Sequence, residues 1–389
     1  MWRSLINYAN GFGHVLLRYP ALLGATLRRP DPQELSSSVL LAALGAAADR
    51  IAYAQDQGAD PGIGSHHLAK GWGGSYPETT GYLVPTLLQA ADRLERPDLE
   101  QRALRAAEWL LNVQRPDGGW QGGRIGEDRP SIVFNTAQVI RGMLAAHTRS
   151  GDARFAEAAQ RAGDWILSVQ ESDGTWRKHN FLGAARVYDT YVDAPLLALQ
   201  ALTGDERYPA AVVRHLAWVL SRQQANGWFA DADNTIRHND RPITHTIAYT
   251  IDGLLECGVA LGDQRVIDAG RRPADALLRI FREHGRLNGR YDREWAGSEH
   301  PLTTGCAQLA IVWYRLHRIT GEPAYAEGAH RLVAWLIAVQ ETAKAGPVDV
   351  RGMLPGSVPF WGRYENFAFP NWATKYFMDA LMLSNDTLR

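Results

Sequence analysis

The chain is expected to be all-α, a succession of helical hairpins, on three observations. The first is a repeated phrase: Trp109-Leu-Leu-Asn-Val-Gln114-Arg-Pro-Asp-Gly-Gly-Trp120, then Trp165-Ile-Leu-Ser-Val-Gln170-Glu-Ser-Asp-Gly-Thr-Trp176, then Trp218-Val-Leu-Ser-Arg-Gln223-Gln-Ala-Asn-Gly-Trp228, with a fainter Trp335-Leu-Ile-Ala-Val-Gln340. Successive early copies lie roughly 55 residues apart, the length of one supersecondary unit in a repeat protein. The second is that apolar residues between the copies recur at helical spacing, and each segment ends in a turn rich in Gly and Asp. The third is that two kinds of segment alternate, one with a solvated face and one apolar on most sides. A chain of 389 residues exceeds the usual limit of one core. A repeat avoids that limit because its core grows by addition.

Segments near 37–58, 97–114, 152–171, 206–224, 263–284 and 322–341 carry Arg, Glu and Ala on one side and the repeated Trp on the other, as outer helices would. Those near 80–94, 133–149, 188–202, 243–261, 302–318 and 371–385 are poorer in charge and read as inner helices. The turns Ser150-Gly-Asp, Thr203-Gly-Asp, Leu261-Gly-Asp and Thr320-Gly-Glu join an inner helix to the next outer one, with Gly in the left-handed cap and the acid at the following N-terminus. No strand is expected.

Six inner and six outer helices over 37–389 resemble the (α/α)6 toroid proteins, in which six parallel inner helices form a closed ring inside six antiparallel outer ones. Residues 1–36 then stand apart as a basic N-terminal arm. The Gln-x-x-Asp-Gly-x-Trp turn is also similar to the Gln/Trp repeat of terpenoid cyclases and prenyltransferase-type toroids. That resemblance implies that Trp120 and Trp176, with Gln114 and Gln170, staple neighbouring hairpins.

Lys plus Arg (41) balances Asp plus Glu (42), so no global field would draw the chain to nucleic acid. Cys257 and Cys306 lie in apolar helical stretches without CxxC spacing, as buried structural thiols do. No apolar run reaches the roughly 18 to 20 residues of a membrane span. In residues 1–30, Arg3, Arg18, Arg28 and Arg29 occur among Leu, Tyr and Phe with no acid. Such a segment either packs on the main domain or makes peripheral contact with an anionic membrane. Arg18 interrupts the apolar stretch that a secretory signal needs, so a cytoplasmic, optionally membrane-associated location is expected. The pattern assigns no oligomeric state.

In a ring of parallel inner helices, the N-terminal ends and preceding loops surround one cleft. Polar side chains concentrate there: Tyr76, Glu78 and Tyr82; Asn135 and Gln138; Tyr188, Asp189, Tyr191 and Asp193; His245, Tyr249 and Asp252; Thr304 and Gln308; Asn371, Lys375 and Asp379. Several align on one helix face, as Asp189 with Asp193, His245 with Tyr249 and Asp252, and Asn371 with Lys375. Charges on inner helices are costly when dry, which favours a wet cavity. Other roles stay open: Asp189 and Glu78 as helix caps, Lys375–Asp379 as an ion pair, His245 as a hydrogen-bonded core residue.

The segment before the last inner helix, Trp361-Gly-Arg-Tyr-Glu365-Asn366-Phe-Ala-Phe-Pro-Asn371-Trp372, combines aromatic rings, amides and a carboxylate, which suits a sugar. Hydrolysis of a glycosidic bond needs two carboxyl groups across it. Elimination or 5-epimerisation of a uronate needs a base and groups that neutralise an enolate. Asp189, Asp252, Glu365, Glu78, His245 and Tyr249 are the catalytic candidates. Tyr76, Asn135, Gln138, Tyr191, Asp193, Arg363, Asn371, Trp372 and Lys375 are the substrate-binding ones. Asp189, His245, Tyr249, Asp252 and Asn371 should then face one shared cavity.

Helical toroids include glycoside hydrolases, polysaccharide lyases and uronyl epimerases. The expected function is action on a poly- or oligosaccharide, hydrolysis ahead of elimination or epimerisation. A non-catalytic glycan-binding toroid is one alternative. A terpenoid cyclase or prenyltransferase is another, although no Asp-x-Asp-Asp or Asp-Asp-x-x-Asp run occurs and Asp231-Ala-Asp233-Asn lies in a loop. No His pair has metal-ligand spacing, so neither metal nor cofactor is expected.

Overall fold

A computed structural model describes residues 11–15, 17–28 and 31–388. After a short helix α1 (Pro20–Leu27), outer and inner helices alternate. The outer ones are α2 (Ser37–Asp56), α4 (Pro97–Asn112), α6 (Ala153–Ser168), α8 (Arg207–Leu220), α10 (Gln264–His284) and α12 (Pro323–Thr342). The inner ones are α3 (Pro77–Leu94), α5 (Val133–Ser150), α7 (Thr190–Thr203), α9 (Thr244–Leu261), α11 (Thr303–Thr320) and α13 (Asn371–Thr387). The fold is the all-α (α/α)6 toroid.

Local chemistry sets the hairpins. Gly151, Gly204, Gly262 and Gly321 take left-handed φ of 72°, 73°, 64° and 74° at the inner-helix ends, a conformation that carries no Cβ penalty in glycine. Asp152 and Asp263 then cap the next outer helix, accepting from the amides of Arg154 and Arg265 at 2.9 Å each.

Each inner helix packs on the next, and α13 returns to α3. The helices run parallel, since N-terminal residues meet N-terminal residues (Asn371 with Thr79, His245 with Gln308) and C-terminal halves meet likewise (Arg315 with Glu256). Contact between α3 and α5 is close: a Cβ on Gly142 would stand 2.4 Å from the Gly81 carbonyl oxygen.

The repeated phrase is a staple. Gln114 Nε2 donates to Gly118 O in its own turn (2.8 Å) and to Ala158 O in α6 (2.9 Å). Gln170 repeats this with Gly174 and Ala211 of α8, and Gln223 with Gly227 and Ala269 of α10. Gln340 closes the circle, reaching Ala43 O in α2 at 3.0 Å and Gly352 O at 2.9 Å. Trp120 and Trp176 are fully buried, and their indoles donate to Leu110 O and Ile166 O at 2.9 Å. The third copy is one residue shorter between Gln223 and Trp228. Its indole reaches Tyr291 O instead.

Three points refine the sequence expectation. Two-residue strands do form: β1 (His66–His67), β2 (Gly71–Trp72), β3 (Arg290–Tyr291), β4 (Gly297–Ser298) and β5 (Ala368–Phe369). The antiparallel set β2-β1-β5 ties the loop before α3 to the loop before α13, fixing the N-terminal face where the ring closes. Arg3 and Arg29 lie outside the described residues. The described part of the arm packs on the toroid, with Leu22 buried beside Ala343 and Val350 and the Phe12 ring 5.9 Å from Trp361. Among the described residues, no helix is long and apolar enough to cross a membrane.

Candidate functional site

At the N-terminal end of the ring, Tyr76 caps α3, Glu78 occupies its first turn, and Asn135 sits in the first turn of α5. Asn135 Nδ2 donates to the Tyr76 hydroxyl oxygen at 2.9 Å and to Glu78 Oε2 at 2.6 Å. The α3 dipole favours an anion here, and the Tyr76 hydroxyl also stabilises one, but burial outweighs the hydrogen bond and pushes the Glu78 carboxyl up to about 7. Glu78 therefore sits close to its own proton at neutral pH.

Facing it is an aromatic group. His245 in the first turn of α9 contacts the Gln308 side-chain oxygen through Nδ1 at 2.7 Å. With that oxygen accepting, Nδ1 carries the proton and Nε2 presents a lone pair. Burial lowers the imidazole to about 4, so it is neutral at physiological pH. Its ring lies 4.5 Å from Tyr249 and 5.9 Å from Tyr364. The Tyr364 hydroxyl accepts from the Trp372 indole at 3.0 Å. The Glu78 charge opposes ionisation of Tyr188, Tyr249 and Tyr364, which places these phenols around it.

Glu365 completes this end. Its φ of 47° and that of Phe367, 62°, are left-handed in residues with a Cβ, strain of about 1–3 kcal/mol each that recurs at functional sites. Burial raises its carboxyl, opposed by the nearby cations Arg124 and Lys70.

A layer of rings closes the axis below. Tyr249 and Tyr376 join hydroxyls at 3.1 Å, and Phe134, Tyr82 and Tyr191 pack around them. Beneath it a cavity of about 840 Å³ opens at the C-terminal ends of the inner helices. Asp252, Tyr191 and Lys375 line this cavity. Asp252 pairs with Arg315 Nε at 3.1 Å, and burial holds its carboxyl at about 6. Lys375 pairs with Asp379 at 2.7 Å and lies 4.0 Å above the Tyr376 ring.

The expectation of one shared cavity is thereby corrected: the structure separates its five residues. His245 and Tyr249 stay at the N-terminal end, while Asp252 lies beyond the aromatic layer. Asp193 turns outward to His215 Nδ1 of α8 at 2.7 Å, both fully buried. Asp189, one turn earlier, accepts from Asn180, and burial holds its carboxyl at about 7. Asn371 donates to Ile63 O at 2.9 Å and Thr79 Oγ1 at 3.0 Å, joining α13 to α3. Gln138 is buried between α5 and α7, donating to Phe134 O and Tyr191 O. Arg363 is 82% exposed beside Glu299. The structure thus brings together Tyr76, Glu78, Asn135, His245, Tyr249 and Trp372 with Glu365 nearby. The candidate set omitted Tyr364, which stood within the aromatic segment, and Arg141, Glu256 and Arg315, which the i, i+4 spacing of Asp252 and Glu256 on an apolar helix could have revealed.

The known proteins that this chain resembles in sequence differ from those that it resembles in structure. Residues 76–181 match the family described as Squalene-hopene cyclase C-terminal domain. Squalene–hopene cyclase of Zymomonas mobilis is 27% identical over 176 residues, 41% of this chain. The match spans 26% of that protein's length. In structure, an unsaturated glucuronyl hydrolase specific for heparin superposes with a TM-score of 0.71 at 13% identity, covering 91% of this chain and 98% of its own. A polysaccharide lyase superposes with a TM-score of 0.64 at 14% identity, covering 91% and 98%. These likenesses define the class of the protein as a helical toroid. The cyclase match spans α3 to α6 and takes in both full copies of the Gln/Trp phrase together with Tyr76, Glu78 and Asn135 of the N-terminal end.

Proposed function

We propose that the chain is a carbohydrate-active enzyme acting on a poly- or oligosaccharide at the N-terminal ends of the inner helices, and that hydrolysis of a glycosidic bond is its reaction. The observation that carries this reading is Glu78. A carboxyl held near 7 by burial keeps its proton at neutral pH in a good fraction of molecules, and Asn135 and Tyr76 aim it: the requirements of a general acid that protonates a leaving glycosidic oxygen. Glu365, whose charge like that of Glu78 opposes ionisation of Tyr364, is the candidate for the second carboxylate, with Arg124 and Lys70 favouring its ionised form. The Tyr364 and Trp372 rings offer faces to a sugar. The hydrolase and lyase toroids that share the fold support the substrate class.

Elimination or epimerisation would use the same end differently, with neutral His245 Nε2 as base. The terpenoid-cyclase match favours a further reading. Against it, Asp233 of the loop Asp231-Ala-Asp233 is engaged structurally, accepting from Thr235 and Ile243 and pairing with Arg290 at 2.9 Å.

Mass spectrometry of neutral and uronate oligosaccharides after incubation in deuterated water tests these readings. Shorter products that have gained water, lost in Glu78→Gln, are expected. Unsaturated ends would indicate elimination, and carbon-bound deuterium without cleavage would indicate epimerisation. Unchanged glycans with a cyclised isoprenoid diphosphate would replace the proposal by the cyclase reading.

A further inference from the structure

Helix α1 is apolar on every side: its eight residues read Pro-Ala-Leu-Leu-Gly-Ala-Thr-Leu. The one hydroxyl among them, on Thr26, donates within the helix to Leu22 O at 2.9 Å. A helix without a polar face is normally covered all round. Only one side of α1 is covered by the toroid, where Leu22 is buried beside Ala343 and Val350, just beyond α12. Pro20 and Leu27, seven residues apart and therefore on one face, are exposed on the other side. Leu17 at 88% and Leu27 at 68% are the most exposed large apolar side chains among the described residues. The outer face of the arm thus presents apolar surface to solvent in a molecule that buries such surface elsewhere.

The charges of the arm stand beside those leucines. Arg18 follows Leu17 and Arg28 follows Leu27, both exposed, and Arg18 lies 5.8 Å from the centre of the Tyr19 ring. Neither arginine pairs with a carboxylate among the described residues, and residues 1–30 contain no Asp or Glu. Surface arginines of the toroid differ: Arg96 is paired with Asp49 and Asp98, and Arg149 with Asp92 and Glu100. Since the whole chain carries a net charge of only −1, the positive bias belongs to the arm. A protein partner would be read through a polar rim, and α1 offers it no free polar side chain. Leucines between unpaired arginines fit an anionic bilayer, which takes the first into its acyl boundary and the second among its phosphates.

We propose that residues 17–28 seat the toroid peripherally on an anionic bilayer, through Leu17 and Leu27 with Arg18 and Arg28. Because the Phe12 ring packs edge-on to Trp361, in the segment that leads to Glu365, the docked face borders the Glu78 end of the toroid. The surface stands whatever the reaction at that end.

Co-sedimentation of the full chain with vesicles tests it. Vesicles of equal parts phosphatidylglycerol and phosphatidylcholine should bind at least tenfold more tightly than phosphatidylcholine alone, and salt should weaken that binding. Leu17→Glu with Leu27→Glu should weaken it at least tenfold with unchanged melting, because both side chains are exposed. Arg18→Gln with Arg28→Gln should cut the preference for anionic vesicles at least threefold, and serves as the location test if the leucine variant melts differently. Equal binding to both vesicles would overturn the role of the arginines, and binding that neither variant alters would overturn the location. No binding to either vesicle would overturn the bilayer as occupant. In that event, a dimer in light scattering that the leucine variant makes monomeric would put a second copy of the chain in its place.

Discussion

Replacing Glu78 by Gln should make the protein more stable at alkaline pH, and the gain should vanish in acid. Gln keeps the shape, can still accept from Asn135 and can donate to the Tyr76 hydroxyl. What it removes is a carboxyl whose proton affinity folding raises from 4.5 to about 7. At about 1.4 kcal/mol for each tenfold change, that is at most about 3 kcal/mol. Glu78 is half-buried, and solvent reduces the figure to about 1–3 kcal/mol. The sign follows from linkage: a raised pKa means the folded chain holds the proton more tightly, so the contribution to stability is present below about 4.5 and lost as pH rises through about 7. Urea unfolding of both proteins at pH 8 and pH 5 reads the effect as a difference, in which all other titrations cancel. The variant should gain about 1–3 kcal/mol at pH 8 and less than about 1 kcal/mol at pH 5. A gain equal at both values, or a loss at pH 8, would refute the claim that burial of Glu78 sets its protonation.

Two predictions concern the frame. Trp165→Ala removes a buried indole, 7% exposed and edge-on to His179, and should cost about 3–5 kcal/mol in chemical denaturation, against a reading of no change if the repeated Trp were ornamental. Gln340→Ala leaves Ala43 O and Gly352 O without their side-chain donor where the outer ring closes, which should cost about 2–4 kcal/mol and speed amide exchange in α2 and α12 first.

The hairpins were legible in the sequence because their causes are local. Helical period, a left-handed Gly at 151, 204, 262 and 321, a capping acid, and a Gln that reaches its own turn all act within about ten residues. The resemblance of the phrase to the Gln/Trp repeat of cyclase-type toroids implied the staple between hairpins. The placement of the site depended on quantities no short window contains. Asp189 and Asp193 do share one face of α7, but the rotation of that helix in the ring turns Asp193 onto His215 of the outer layer. His245, Tyr249 and Asp252 also follow one face of α9, yet seven residues of helix rise about 10 Å. Over that distance the axis passes from the Glu78 end, through the tyrosine layer, into the cavity beyond. Spacing determined which side chains line up. Only the closed ring, by fixing the rotation and height of each inner helix against its neighbours, decided that Glu78, His245 and Glu365 belong to one end and Asp252 and Lys375 to the other.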